Sequence, residues 1–267
     1  MIRMENACFG YGTDMVLRGL NLHIAKGEFV AVIGENGAGK STFSKLLNGL
    51  NKPSAGRVLI DGEDTRRVRT SALAKKVSFL FQNPDRQLCK NTIEEEIRFG
   101  LELVLQDKQE IQRRLEETIR DFGFDPAQNP FSGGRGLRQR IALADLLALK
   151  PQLLILDEPT TGLDYRECMH IMERVQELNR EVGATVVMVS HDMELVQEFA
   201  RRVLVLKDGG LFLDGPVGEI MAREEELARA SLLPPQIVSL CNRLGDEYRG
   251  ISDYMQMADA IERRRAK

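Results

Sequence analysis

An apolar run without alternation, Phe29-Val30-Ala31-Val32-Ile33, leads directly into Gly34-Glu35-Asn36-Gly37-Ala38-Gly39-Lys40-Ser41-Thr42, and helical spacing resumes at Phe43-Ser44-Lys45-Leu46-Leu47. No other stretch restricts the chain as much. A run apolar at every position suits a strand covered by helices on both faces of a parallel sheet. The loop after it fits G-x-x-x-x-G-K-[ST] between a strand and a helix. Its glycines let successive backbone N–H groups turn inward on a phosphate at a helix N-terminus, where the helix dipole also favours an anion. Lys40 is expected at the β- and γ-phosphates of a nucleotide and Ser41 at its Mg²⁺. Gly34, Asn36, Gly37, Gly39 and Thr42 complete the binding loop.

A second apolar run, Leu153-Leu154-Ile155-Leu156, ends in Asp157-Glu158. In open α/β sheets ligands bind at the carboxyl ends of the strands, so this run delivers two acids to the nucleotide. Asp157 is expected to hold Mg²⁺, and Glu158 to orient or deprotonate an attacking water. Alone, acids at a strand end are ordinary turn formers; with the phosphate loop they define a site.

The remaining pattern fills in an α/β fold. Strands are predicted over 28–33, 57–60, 77–81, 153–157, 185–190 and 203–206, each bounded by Gly, Pro or Asn. Residues 3–9 and 20–24 alternate, and Leu206-Lys207-Asp208-Gly209-Gly210-Leu211 contains a hairpin turn, which together predict an antiparallel sheet flanking the core. Between about 86 and 145 the spacing becomes helical, with Ile93, Ile97 and Leu101 on one stripe and Ile111, Leu115 and Ile119 on another; both read as core. After Gly215-Pro216 the chain is again helical, interrupted at Pro234-Pro235. The expected organisation is a nucleotide-binding domain over 1–216, with a helical subdomain at about 86–145, followed by a helical extension over 217–267.

Charge and composition exclude several classes. The net charge is -3, and Lys and Arg are interspersed with Asp and Glu, so no nucleic-acid footprint is present. Arg263-Arg264-Arg265 reads as a solvated tail. No secretory signal is seen at Met1-Ile2-Arg3, and the apolar segment 141–156 is broken by Asp145, Lys150 and Pro151, so a cytoplasmic chain is expected whose membrane role needs a partner. The four cysteines form no C-x-x-C pair, which argues against zinc or a disulfide framework.

Ser132-Gly133-Gly134 precedes Arg140-Ile141-Ala142-Leu143-Ala144 and the acidic strand, and in this order the chain resembles the ATP-binding-cassette family, a P-loop NTPase with a RecA-like core. The resemblance implies that Gln82 is the Q-loop glutamine near the metal, that Gly162-Leu163-Asp164 is the D-loop, and that His191 is the switch histidine. Tyr11 matches the aromatic that stacks on adenine. It also implies head-to-tail dimerisation, homo- or heterodimeric, with each ATP between one subunit's phosphate loop and the other's Ser132, Gly133 and Gly134. Gln82-Asn83-Pro84-Asp85-Arg86-Gln87, Thr92 to Ile97 and Phe99-Gly100 resemble the energy-coupling-factor importers and their cobalt or nickel relatives. Such importers add an integral-membrane scaffold subunit, whose short helices enter the groove at residues 84–105, and a substrate-capture subunit. A place at the cytoplasmic face of the membrane follows from that resemblance.

One departure stands out: after Ser132-Gly133-Gly134 the family has Gln and then a basic-Gln-Arg helix start, whereas this chain has Arg135-Gly136-Leu137-Arg138-Gln139-Arg140, about two residues more. The insertion is expected to tilt the helix or lengthen the loop and to impair closure of the half-site this chain donates. The alternative reading is therefore a catalytically degenerate or regulatory half of a heterodimer. DNA-repair and translation cassettes lack support, with neither a long coiled coil nor a second cassette, and the guanine-selecting Asn-Lys-x-Asp is absent because Asn51-Lys52-Pro53 ends in Ser54. His23 and His170 are read as structural or exposed.

Overall fold

Each non-alternating run becomes an interior strand whose two sides feed two different cores. In the computed structural model, residues 1–245, 248, 251 and 253–265 are described, the side chains of Arg264 and Arg265 excepted. The larger sheet has the order β10-β9-β3-β8-β7-β6, with β3 (Phe29–Gly34), β6 (Val77–Leu80), β7 (Leu153–Asp157), β8 (Thr185–Val189) and β9 (Arg202–Lys207) parallel. Phe29, Ala31 and Ile33 face one core and Val30 and Val32 the other; Leu154 and Leu156 likewise oppose Leu153 and Ile155. With both sides of the pleat buried, period-two alternation vanishes from the sequence.

The second sheet, β2-β1-β4-β5, is antiparallel and built from β1 (Ile2–Tyr11), β2 (Asp14–Ile24), β4 (Ala55–Ile60) and the short β5 (Glu63–Asp64). It covers one face of the larger sheet together with α1 (Lys40–Leu47), and α2 (Thr70–Leu73) closes that side through the fully buried Leu73. The hairpin at Asp208-Gly209 does not belong to this flanking sheet, contrary to the sequence expectation. Both turn residues have positive φ, 50° and 77°, and fold β10 (Gly210–Pro216) back onto β9 as an antiparallel edge of the parallel sheet. The reason is that Val203 to Leu206 are buried on both faces, which places β9 beside β3.

The opposite face carries the helices. On α3 (Ile93–Val104) Ile93, Ile97 and Leu101 are fully buried, and Thr92 and Glu95 close a reciprocal N-terminal capping box. On α4 (Lys108–Phe122) Ile111 and Leu115 are buried and Ile119 is half-buried against them. Both stripes are core, as expected. The helices α5 (Arg135–Ala148), α6 (Tyr165–Glu177) and α7 (Met193–Phe199) complete the layer. The C-terminal helices α8 (Val217–Met221), α9 (Glu224–Arg229), α10 (Gln236–Leu244) and α11 (Tyr254–Arg265) bury Met221, Leu227, Ile237, Cys241 and Met257 in this same core. The break expected at Pro234-Pro235 is the entry to α10, where Pro235 is the N-cap. Arg263 is exposed, while the rest of the expected solvated tail falls on side chains outside the described residues. Among the described residues no helix is long and apolar enough to cross a membrane.

Candidate nucleotide site

Three strands, β3, β7 and β8, end at one edge of the sheet, and the turns that follow them carry the site. β8 lies between β3 and β7, so the phosphate loop and the acidic pair meet across an intervening strand. Gly34 closes β3 with φ 156°, and a Cβ there would lie 2.3 Å from the Leu206 carbonyl oxygen of β9, so only glycine lets the loop leave the sheet at this point. Gly39, φ 97°, is the N-cap of α1, and a Cβ would meet Leu17 at 2.6 Å. The loop is thus packed from behind and open in front, with Asn36 and Gly37 exposed at its crest and Lys40, Ser41 and Thr42 forming the first turn of α1.

Lys40 is half-buried and bends back so that Nζ donates to the carbonyls of Gly34 at 2.7 Å and Glu35 at 3.0 Å. Burial lowers its pKa, opposed by the charges of Glu158, Asp157 and Glu35. The Ser41 hydroxyl donates to Asp157 Oδ1 at 3.4 Å, a long bond that leaves the carboxylate with acceptor capacity to spare. Asp157 is buried; burial raises its pKa, and the Ser41 hydrogen bond and the charges of Lys45 and Lys40 hold it back.

Glu158 follows with φ 56°, the left-handed region that a glutamate enters only under constraint. Two contacts supply the constraint: its N–H donates to the Val189 carbonyl at the end of β8 (3.0 Å), and Oε2 lies 2.7 Å from His191 Nδ1. Burial raises the Glu158 pKa, with the His191 charge and hydrogen bond working the other way and Asp157 adding to the rise. His191 itself is exposed. Sequence reasoning placed Glu158 by its position after the strand; its strained backbone has no sequence signature.

The other expected residues are brought in to different degrees. Tyr11 ends β1 half-exposed, its hydroxyl accepting from Asn51 Nδ2 at 3.0 Å and bonded to the Thr42 side chain, which sets the ring beside the start of α1. Gln82 is exposed just beyond β6, and its backbone carbonyl accepts from Arg135 Nη2 at 3.0 Å. Asp164 caps α6: Oδ1 accepts from the Glu167 N–H at 2.9 Å, and the Glu167 side chain returns the bond. Ser132 is exposed, its hydroxyl donating to the Asn129 carbonyl at 2.7 Å, and Gly133 and Gly134 lead into α5. Among the described residues no hydrogen bond or ion pair joins Ser132–Gly134 to Gly34–Thr42 of the same chain. His23 is exposed, and His170 packs edge-on to Phe122 at 5.9 Å.

The two inserted residues do not lengthen the loop. They form the start of α5, which begins at Arg135 directly after Gly134. Sequence reasoning missed Gln139 on this helix, whose buried Nε2 donates to the Pro159 carbonyl at 3.0 Å and ties α5 to the turn after Glu158. The signal for it is Arg138-Gln139-Arg140, which matches the basic-Gln-Arg helix start of the family without declaring a role for the glutamine.

A tight glycine loop at a helix N-terminus, a lysine folded onto its carbonyls and a hydroxyl–carboxylate pair fit a triphosphate and an oxygen-seeking divalent cation. The fold and this site define a P-loop nucleotide-binding cassette. The pattern of the ABC transporter family matches residues 17–161. The chain belongs to that family. Energy-coupling factor transporter ATP-binding protein EcfA of Methanothermobacter thermautotrophicus is 42% identical over 250 residues, 91% of this chain and 80% of the relative. Among solved structures, cbiO1 from Clostridium perfringens, part of the ABC transporter complex cbiONQ, aligns with TM-score 0.74 and 31% identity over 85% of this chain and 93% of that one. The ATP-binding cassette MJ0796, as a dimer in a post-hydrolysis state with ADP and Pi, aligns with TM-score 0.73 and 30% identity over 81% and 99%. The chain spans 40% and 38% of the lengths of relatives from Methanosarcina mazei and Methanosarcina acetivorans that it matches at 44% and 45% identity.

Proposed function

We propose that this chain binds ATP with Mg²⁺ and hydrolyses it as the motor subunit of an energy-coupling-factor importer for vitamins or transition-metal ions. The observation that carries the reading is Glu158: buried, strained, paired with His191 and adjacent to the Ser41–Asp157 contact. In this role the amides of Gly34, Asn36, Gly37 and Gly39 to Thr42 cradle the phosphates. Lys40 exchanges its two carbonyl partners for phosphate oxygens. Ser41, Asp157 and Gln82 hold the cation, which when bound neutralises phosphate charge. Glu158 accepts the proton of the attacking water, and its raised pKa strengthens it as a base while His191 keeps it ionised and aimed. Tyr11 faces the adenine.

A second nucleotide-binding subunit, identical or homologous, completes each site with Ser132, Gly133, Gly134 and the turn at Asp164. The relatives named for energy coupling and for the cbiONQ complex support an integral-membrane scaffold and a substrate-capture subunit as the remaining partners, with this chain peripheral at the cytoplasmic face. The proposed division is a cassette over 1–216 and a helical extension over 217–267. A heterodimer in which the half-site donated by this chain is weakened is favoured by one observation, the presence of Arg135 and Gly136 in the first turn of α5, directly after Ser132-Gly133-Gly134.

Calorimetry and phosphate release on purified protein test the reading. Lys40→Ala is expected to lose Mg²⁺-dependent ATP binding. Glu158→Gln is expected to bind ATP yet hydrolyse it about 10² to 10³ times more slowly. Equal, Mg²⁺-independent binding by wild type and Lys40→Ala would end it.

A further inference from the structure

We propose that Arg135 and Arg138 are positioning residues that yoke the Q-loop to the Ser132-Gly133-Gly134 turn, so that a chain's own nucleotide site and the half-site it offers to a second copy move as one body. The inference rests on the function proposed above and adds to it a pair of residues and the coupling they carry.

Two extra helical residues move a helix start by about 3 Å along its axis and about 200° around it. In this chain they bring the Arg135 guanidinium onto the Gln82 carbonyl, at 3.0 Å. The stem of the same side chain passes Gly162, where a Cβ would come within 3.4 Å of Arg135 Cδ. Gly136 allows the approach from the other side, since a Cβ there would lie 3.0 Å from the Gly162 carbonyl oxygen. Both inserted residues are therefore accommodated by specific contacts, one to the Q-loop and both to the D-loop.

One helical turn on, Arg138 spans the remaining gap. Nε donates to Asp85 Oδ1 at 2.5 Å and Nη1 to the Gly133 carbonyl at 2.7 Å. A single guanidinium, its planar fork preorganised for two acceptors, thus bonds the Q-loop and the Ser-Gly-Gly turn together. Gln139 beside it anchors the helix to Pro159. Three segments that the proposed function puts at a nucleotide, 82–85, 132–134 and 159–162, converge on the first six residues of α5. Ligation at Gln82 displaces the Q-loop, and these arginines transmit the displacement to Ser132.

The test is equilibrium binding of Mg-ATP to the full chain carrying Glu158→Gln, which separates coupling from turnover. With two sites per dimer the Hill coefficient of this parent is expected above one and at most about two. Arg135→Ala with Arg138→Ala is expected to bring it to about one. Gln82→Ala is expected to do the same, and all three changes together to do no more, because side chains acting through one linkage are non-additive. Asp85→Asn, which keeps a side-chain oxygen to accept from Arg138 while Arg138 still donates to the Gly133 carbonyl, is expected to retain cooperativity relative to Asp85→Ala. Should the double alanine variant not fold, Asp85→Ala, at a half-exposed site, reads the Arg138 arm alone. Binding with a Hill coefficient of one in the parent, an unchanged coefficient in the arginine variants, or additive effects of Gln82→Ala and the arginine changes would overturn the proposal while leaving the nucleotide site intact. Absence of Mg-ATP binding in the parent would instead overturn the functional reading, and this inference with it.

Discussion

Replacing Asp145 by asparagine is expected to stabilise the protein at neutral pH, because the folded chain encloses one oxygen of this carboxyl without a hydrogen-bond partner. Asp145 sits within the apolar run of α5, and its Oδ1 is enclosed without a hydrogen-bond partner although other atoms of the residue touch solvent. Gly100 of α3 makes room for it; a Cβ there would fall 2.2 Å from Oδ1. Glu96, buried nearby, already accepts from the N–H groups of Cys89 and Lys90. Burial, reinforced by the Glu96 charge, pushes the Asp145 pKa from 3.8 to about 8.

The sign follows from proton counting. Between the two pKa values the folded state keeps the proton and the unfolded state has lost it, so stability falls as pH rises through this window and levels off above about 8. Each pH unit is worth about 1.4 kcal/mol, giving an upper bound of about 2.6 kcal/mol between pH 5 and pH 7. Residual solvent contact reduces this to about 1–2 kcal/mol. Urea titrations of wild type and Asp145→Asn at pH 5, 6, 7 and 8 isolate the effect, since other titrating groups cancel in the difference. The advantage of the asparagine variant is expected to grow with pH. A difference that stays constant from pH 5 to pH 8 refutes the reasoning.

Other substitutions probe the nucleotide site and its supports. His191→Ala removes the charge and hydrogen bond that hold the Glu158 pKa down, so the acid limb of the hydrolysis rate is expected to move to higher pH; a limb that stays in place would separate His191 from Glu158. Asp164→Ala deletes the α6 capping box and is expected to cost about 1 kcal/mol in urea unfolding. Gly39→Ala forces a Cβ toward Leu17 at 2.6 Å with φ 97°, and is expected to weaken ATP binding at least about tenfold and to lower stability by about 1–3 kcal/mol, read by calorimetry and thermal melting.

What could be read from the sequence was whatever depends on short-range pattern. The phosphate loop, the acidic strand end and the buried stripes of α3 and α4 need only a few consecutive residues to declare themselves, and all lie where local periodicity puts them. The hairpin at Asp208-Gly209 was visible as a turn, but the sheet it joins was not, because that depends on β9 pairing with β3 more than 170 residues earlier. The left-handed Glu158 was hidden for a similar reason: the contacts that hold it come from Val189 and His191, on another strand. Asp145 showed only as an interruption in an apolar segment. That it is an enclosed carboxyl follows from α3 packing across it at Gly100, which no window of sequence contains.

The insertion at Arg135-Gly136 shows how the same two residues can satisfy opposite expectations. Considered locally, they lengthen a loop and loosen the half-site it serves. In the folded chain both residues belong to the first turn of α5, with Gly134 as its N-cap and Gln139 holding the helix to Pro159. A helix anchored at Gln139 but extended backwards must find contacts for its new first turn, and the nearest groups are the Gln82 carbonyl and Gly162. The two residues thereby link the segment at Gln82 to the turn at Gly162. Arg138 holds the turn that carries Ser132 in place by fixing Gly133 to Asp85.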